Sequence, residues 1–275
     1  MAFVGKAVLF VEGAFTPRPR YAEPLGRIWQ THLVQCLQLI AIDRVVPIDK
    51  TYLVAMERPE ANKKKLSGAG WQPLDLLIAR ELEKEDFDVA VIAWDLQPPW
   101  DPNAKACGPQ EVVKLYHGLS ESEALPDEPW RRWARNRFRE LSGRKKGQRK
   151  PDTPSLEAGA ILAVCMEPVF ESLLIVCEQT IMRTLGVKHR GRVKWPTWNK
   201  HRDRPEDLLQ LAIKAARQVR PMPEAINRVP GDMITAKNNW DEYLLRKMIE
   251  DEQCLAEVRQ HPTAARLVRL LSRGR

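Results

Sequence analysis

Three carboxylates follow apolar runs, and their type and placement suit metal-assisted phosphate chemistry. Ala7–Val11 (AVLFV) leads into Glu12-Gly13, Val89–Ala93 leads into Trp94-Asp95, and Ala160–Cys165 (AILAVC) leads into Met166-Glu167-Pro168. Runs that stay apolar without alternating read as strands buried on both faces, the kind found in parallel sheets. Acids at the carboxyl ends of such strands stand where ligands gather in open α/β sheets. Hard oxygen donors suit magnesium or manganese, so Glu12, Asp95 and Glu167 are candidate metal ligands and catalytic residues. Glu171 lies four residues after Glu167, and a helix begun at Pro168 would set both on one face. Asp101 is a further candidate ligand or a turn former ahead of Pro102. An acid at a strand end can equally cap a helix or face its dipole, the competing reading for Glu12 and Glu167. Asp95 fits that alternative less well, because Leu96-Gln97-Pro98-Pro99 is not a helix start.

Positive charge is concentrated in two places. Val187–Arg204 carries Lys188, Arg190, Arg192, Lys194, Lys200 and Arg202 among tryptophans, and Arg131–Lys150 includes Lys145 and Lys146 in a basic loop. Lys194 and Lys200 are the candidates to hold a scissile phosphate or to stabilise transition-state charge. Lys188, Arg190, Arg192, Arg202, Lys145 and Lys146 are candidate nucleic-acid contacts. Trp130 and Trp133, three residues apart, read as core and not as stacking platforms. The net charge of +8 and pI near 9.3 suit a polyanionic partner, or simply solubility. His189 and His201 fall in the basic loop, where they could touch phosphate or move a proton, whereas His32 reads as structural. Phosphate-loop, dinucleotide-binding, nucleophile-elbow and H-E-x-x-H motifs are absent.

The positioning elements alternate. Strand-like runs at 7–11, 44–48 and 89–93 are separated by helical patterns over 25–42 and from Pro73 to Glu83, with a further strand candidate at 51–56. This order predicts right-handed crossovers building a mostly parallel α/β sheet flanked by helices. Helices are expected over 111–119, 129–141, from Pro168 onward, 205–217, 240–250 and 254–272. The expected organisation is one elaborated α/β domain, with its core over about 5–186 and the basic loop and C-terminal helices over 187–275. Five scattered cysteines without a C-x-x-C pair read as reduced thiols. With no apolar stretch near ~20 residues and no leader-like N-terminus, the expected location is cytoplasmic and off the membrane.

Val11-Glu12-Gly13 at a first strand end, two strand–helix alternations, and a strand ending in Asp95 together resemble a TOPRIM domain, the fold shared by topoisomerases, DnaG-type primases and OLD-family nucleases. Met166-Glu167-Pro168-Val169-Phe170-Glu171 with Leu185-Gly186, and the closing Gln260–Leu271, are similar to bacterial TOPRIM-like proteins encoded beside ABC-type ATPases and phage-defence genes. The resemblance implies a Mg²⁺- or Mn²⁺-dependent nuclease in which Glu12 acts in acid–base or metal chemistry and Asp95 binds metal. Its implied partners are DNA or RNA and an ABC-type ATPase or other defence-system protein, with self-association into a homo-oligomer also open. The family pattern has D-x-D where this chain reads Asp95-Leu96-Gln97. Gln97 offers a neutral oxygen without charge. That departure keeps open an inactive TOPRIM-derived scaffold for an ATPase complex, and the basic stretches Arg131–Lys150 and Val187–Arg204 keep open a metal-independent nucleic-acid-binding protein.

Overall fold

Continuous apolar runs become the central strands. In the computed structural model, which describes residues 5–12, 28–48, 52–53, 56, 73–97, 99, 105, 107–144, 155–201 and 203–272, these strands are β1 (Ala7–Glu12), β2 (Ile42–Ile48), β3 (Val89–Asp95) and β4 (Ala160–Met166). They form one all-parallel sheet in the order β2-β1-β3-β4. Ala7–Val11 and Val89–Trp94 are inaccessible to solvent, which is why these strands show no polar alternation. Pro47 sits in β2 opposite Val11 and is tolerated because β2 is an edge strand of this sheet. The fold is α/β, with helices between the strands and a run of helices at the C-terminal end.

Between β1 and β2 lies α1 (Ile28–Leu37), and between β2 and β3 lies α2 (Leu74–Lys84), which buries Leu74, Leu77 and Ile78. The expected helix over 25–42 is described only from Ile28 and stops at Leu37, five residues short. Gln38 adopts a left-handed φ of 53°, its N–H donates to Gln35 O at 3.1 Å, and the Leu39 N–H donates to Val34 O at 2.9 Å. That double bond is the Schellman termination, here built on glutamine instead of glycine. The strand candidate at 51–56 is also corrected: Tyr52, Leu53 and Met56, its described residues, are helical.

After β3 come α3 (Gly108–Glu121) and α4 (Arg132–Ser142). Both are anchored to β4 at one carbonyl, since the Tyr116 hydroxyl and the Trp133 indole N–H donate to Ile161 O at 2.9 and 3.0 Å. Trp130 and Trp133 are core residues, as their spacing suggests. The chain enters β4 through Gly159, whose φ of +84° and whose closeness to the Pro129 ring both require glycine. A 3₁₀ segment (Phe170–Val176) and α5 (Glu178–Thr184) follow β4, then α6 (Pro205–Ala216), α7 (Glu224–Arg228), α8 (Lys237–Ile249), α9 (Glu252–Arg259) and α10 (Pro262–Leu271).

The described residues fall into two compact units. One is drawn from Met1–Phe15, Ile40–Met166 and Arg269–Arg275 and contains the sheet. The other is drawn from Thr16–Leu39 and Glu167–Val268. Its core includes Trp240, Leu244, Leu245 and Met248 of α8. Within it Cys177 and Cys254 are disulfide-bonded, with Cα atoms 5.6 Å apart, which corrects the reading of all five cysteines as reduced. Their separation of 77 residues carries no sequence signature. The bond also removes cysteine usage as a ground for a cytoplasmic location. Among the described residues no helix is long and apolar enough to cross a membrane.

Candidate active site at the strand ends

The strand order reverses direction at one place. From β1 the chain crosses to β2 on one side, whereas β3 leads on to β4 on the other, so β1 and β3 flank the switch point. In open α/β sheets the crevice at the carboxyl ends of such a pair receives ligands. Glu12 closes β1 and Asp95 closes β3. The pairing of Val11 with Ala93 brings the two ends level, and Glu12 Oε2 accepts the Asp95 backbone N–H at 2.9 Å across 83 residues of sequence. This bond fixes the Glu12 carboxylate against the last residue of β3. Both acids are half-buried, so each keeps solvent access beside an apolar sheet.

Trp94, immediately before Asp95, is inaccessible, and its indole N–H donates to Glu111 Oε2 at 2.8 Å. Side chains alternate along a strand, so Trp94 and Asp95 leave β3 on opposite faces. Glu111, 5% exposed in the first turn of α3, therefore acts on the Trp94 side and steadies the strand end that presents Asp95. Nothing in the local sequence marks this acid as buried.

The other expected ligands are distributed differently. Glu167 follows the last residue of β4 and is exposed in the second unit. The helix expected from Pro168 does not form, because Val169 is extended (φ −152°, ψ 167°) and only a 3₁₀ segment starts at Phe170. Glu167 and Glu171 therefore do not share a helix face. Glu171 is buried instead: Lys237 Nζ lies 2.7 Å from its Oε1 and also 2.5 Å from Glu206 Oε1. Asp241, one turn beyond Lys237 on α8, is buried beside this group. Burial and then the negative charge of Glu171 push the Asp241 carboxyl well above its ordinary pKa. Gln97 is exposed, and Asp101, Lys145, Lys146 and Arg202 lie outside the described residues.

Lys188, Arg190, Arg192, Lys194 and Lys200 are all exposed on the second unit's loop. Arg190 is partly neutralised by Glu178 at 2.7 Å. By contrast, the basic helix α4 and the turn before it are largely charge-matched: Arg131 and Arg135 pair with Asp127, Arg132 with Glu128, and the buried Arg137 with Glu140.

Glu12 and Asp95 offer oxygen donors of the kind magnesium and manganese take, and such ions often use only one or two carboxylates besides water and substrate phosphate. Among the described residues no group of three or more His, Cys, Asp and Glu side chains is arranged to enclose a metal ion. No family model, curated protein or solved structure matches the chain.

Proposed function

We propose that the protein is a Mg²⁺- or Mn²⁺-dependent phosphodiesterase, a TOPRIM-like nuclease acting on DNA or RNA, with its centre at Glu12 and Asp95. The observation that carries this reading is the pair itself: two acids ending adjacent parallel strands at the switch point, joined by the 2.9 Å bond from the Asp95 N–H to Glu12. The bound cation would neutralise phosphate charge and lower the pKa of the attacking water. Asp95 would hold the ion through its carboxylate. Glu12, oriented through one oxygen by the Asp95 amide, would complete the oxygen donors. Glu167 and Glu171 lie in the second unit and are not assigned to this centre, and the Glu171 carboxylate is engaged by Lys237. Lys194 and Lys200 lie in the second unit and are not assigned to this centre. The cellular setting suggested by the resemblance is a bacterial defence or mobile-element system, with an ABC-type ATPase as partner.

The test is incubation of DNA, RNA and structured RNA with pure protein and Mg²⁺ or Mn²⁺. Cleavage is expected from the wild-type chain and loss of about 10²-fold or more from Glu12→Ala and Asp95→Ala. Undiminished cleavage by either variant refutes the assignment. Gln97, exposed where the family pattern has a second aspartate, favours the other reading, a catalytically inactive scaffold. That reading entails no metal-dependent cleavage together with a stable partner complex on co-purification.

A further inference from the structure

The segment Val187–Arg204 is not simply a charged loop. It is held in shape by its tryptophans. Trp198 is 5% exposed and its indole N–H donates to Ile175 O at 2.6 Å. Trp195 is stacked on it, with ring centroids 5.9 Å apart and planes 2° from parallel, and remains half-exposed. Its indole N–H donates to Glu178 Oε1 at 3.0 Å, the same oxygen that Arg190 engages at 2.7 Å. Trp195 is thus fixed at its edge by Glu178 and stacked along one side on a buried ring. Around it lies a hollow of about 350 Å³, lined by Glu178, Arg190, Lys194, Trp195, Thr197 and Asn199 among others. Lys188, Arg192, Lys194 and Lys200 are all exposed on the same loop, and the Glu178 carboxylate in the hollow already has two donors.

We infer that this loop binds single-stranded nucleic acid, with an unpaired base stacked on Trp195 and the neighbouring phosphates held by Lys188, Arg192, Lys194 and Lys200. A pre-oriented aromatic face with cations beside it is what single strands use, because every unpaired base has a π-face to offer and the phosphates follow at regular spacing. A duplex keeps its bases stacked inward, and the short 3₁₀ turns here (Arg190–Arg192 and Trp198–His201) supply no long helix or β-ribbon to enter a groove. The hollow is also of a size that receives a small planar ligand. As a statement about the substrate of the proposed cleavage this rests on that reading. The binding itself needs neither metal nor Glu12 and Asp95.

The experiment is fluorescence anisotropy of a labelled oligothymidylate of about 12 nucleotides, and of the duplex of the same length, with full-length protein in chelator so that cleavage plays no part. The expected result is preference for the single strand and salt-dependent affinity. Trp195→Ala should weaken binding by about tenfold, and Trp195→Phe should restore most of it. Lys194→Ala should weaken binding and lower the salt slope by about one. In parallel, ultraviolet crosslinking of a bromodeoxyuridine oligonucleotide to the wild-type chain, read by peptide mapping, should label the peptide holding Trp195, and this does not depend on any variant folding. Equal affinity for duplex, wild-type affinity in a folded Trp195→Ala protein, or crosslinks confined to other peptides overturns the inference. Binding as inferred with no cleavage under any metal leaves the loop site standing and refutes the nuclease reading alone.

Discussion

Replacing Lys237 by methionine should be among the most damaging single changes to the second unit. Lys237 is the cation for Glu171, whose side chain is 3% exposed, and it also pairs with the more open Glu206. Burial works against the ammonium, but attraction to Glu171 and hydrogen bonds to Glu171 and Glu206 outweigh it and raise the Lys237 pKa above the ordinary lysine value. Removing one partner of a buried ion pair costs about 3–5 kcal/mol, because the other charge is left uncompensated. The Lys237 side chain is 37% exposed, so water screens part of that, and about 2–3 kcal/mol is the expected loss. In a chain of 275 residues that lowers Tm by about 4–6 °C.

Asp241 supplies the control. Asp241 Oδ1 and Glu171 Oε2 are buried with no hydrogen-bond partner unless a proton lies between them, and the raised Asp241 pKa provides that proton. Asp241→Asn replaces the protonated acid by a neutral amide and should cost under about 1 kcal/mol at mildly acid pH, where the raised pKa keeps the proton on. The sign of the pH dependence follows. The folded protein keeps a proton on Asp241 that the unfolded chain releases near its ordinary value of about 4, so this site contributes a stability that falls as pH rises above that value. The decline continues up to the folded pKa at about 1.4 kcal/mol per pH unit. Asp241→Asn should flatten that slope. Lys237 works in the opposite range: its contribution is complete below the ordinary lysine value and is lost only as pH rises through the raised one. Urea denaturation of wild type, Lys237→Met and Asp241→Asn between acid and mildly alkaline pH measures the two losses and the Asp241 slope, with the Lys237 contribution constant across that range. A Lys237→Met protein as stable as wild type, or an Asp241→Asn protein as damaged as Lys237→Met at mildly acid pH, refutes the reasoning.

Other outcomes are equally specific. Gly159→Ala should destabilise by several kcal/mol, measured by thermal unfolding, because a Cβ there meets the Pro129 ring at 2.2 Å and the φ of +84° is strained for alanine. Cys177→Ala/Cys254→Ala, or reductant, should lower stability by up to about 4.5 kcal/mol, the chain-entropy value for a loop closed across 77 residues, with no comparable effect of reductant on the double variant. Tyr116→Phe should cost about 1 kcal/mol in denaturant, since its hydroxyl both donates to Ile161 O and accepts the Ala163 N–H at 3.2 Å.

The sheet was legible because burial on both faces leaves its mark on consecutive residues: Ala7–Val11 and Val89–Ala93 are apolar because no side of them meets water. Glu12 and Asp95 were legible for the same reason, as the first charges after those runs. What escaped the sequence was set by partners far along the chain or by backbone geometry without its usual residue. Gln38 ends α1 in a left-handed conformation that glycine ordinarily signals. Val169 is extended, so the four-residue spacing of Glu167 and Glu171 lost its helical meaning. Glu171 found Lys237 and Asp241, which share an i,i+4 face; starting the expected helix at Trp240 left Lys237 outside it. Trp195 and Trp198 were visible in the basic loop, but their parallel stacking depends on Glu178 and Ile175, earlier in the chain.

Manganese uptake by electron paramagnetic resonance, on wild type and on Glu12→Gln/Asp95→Asn, bears most directly on the strand-end acids as a metal site. Both substitutions keep side-chain size and polarity while removing charge, so the sheet should persist. The wild-type chain should bind Mn²⁺ and the double variant should lose that binding, with Mg²⁺ competing for the same site. Equal uptake by the two folded proteins, or none by either in the presence of nucleic acid, would contradict a metal centre at Glu12 and Asp95.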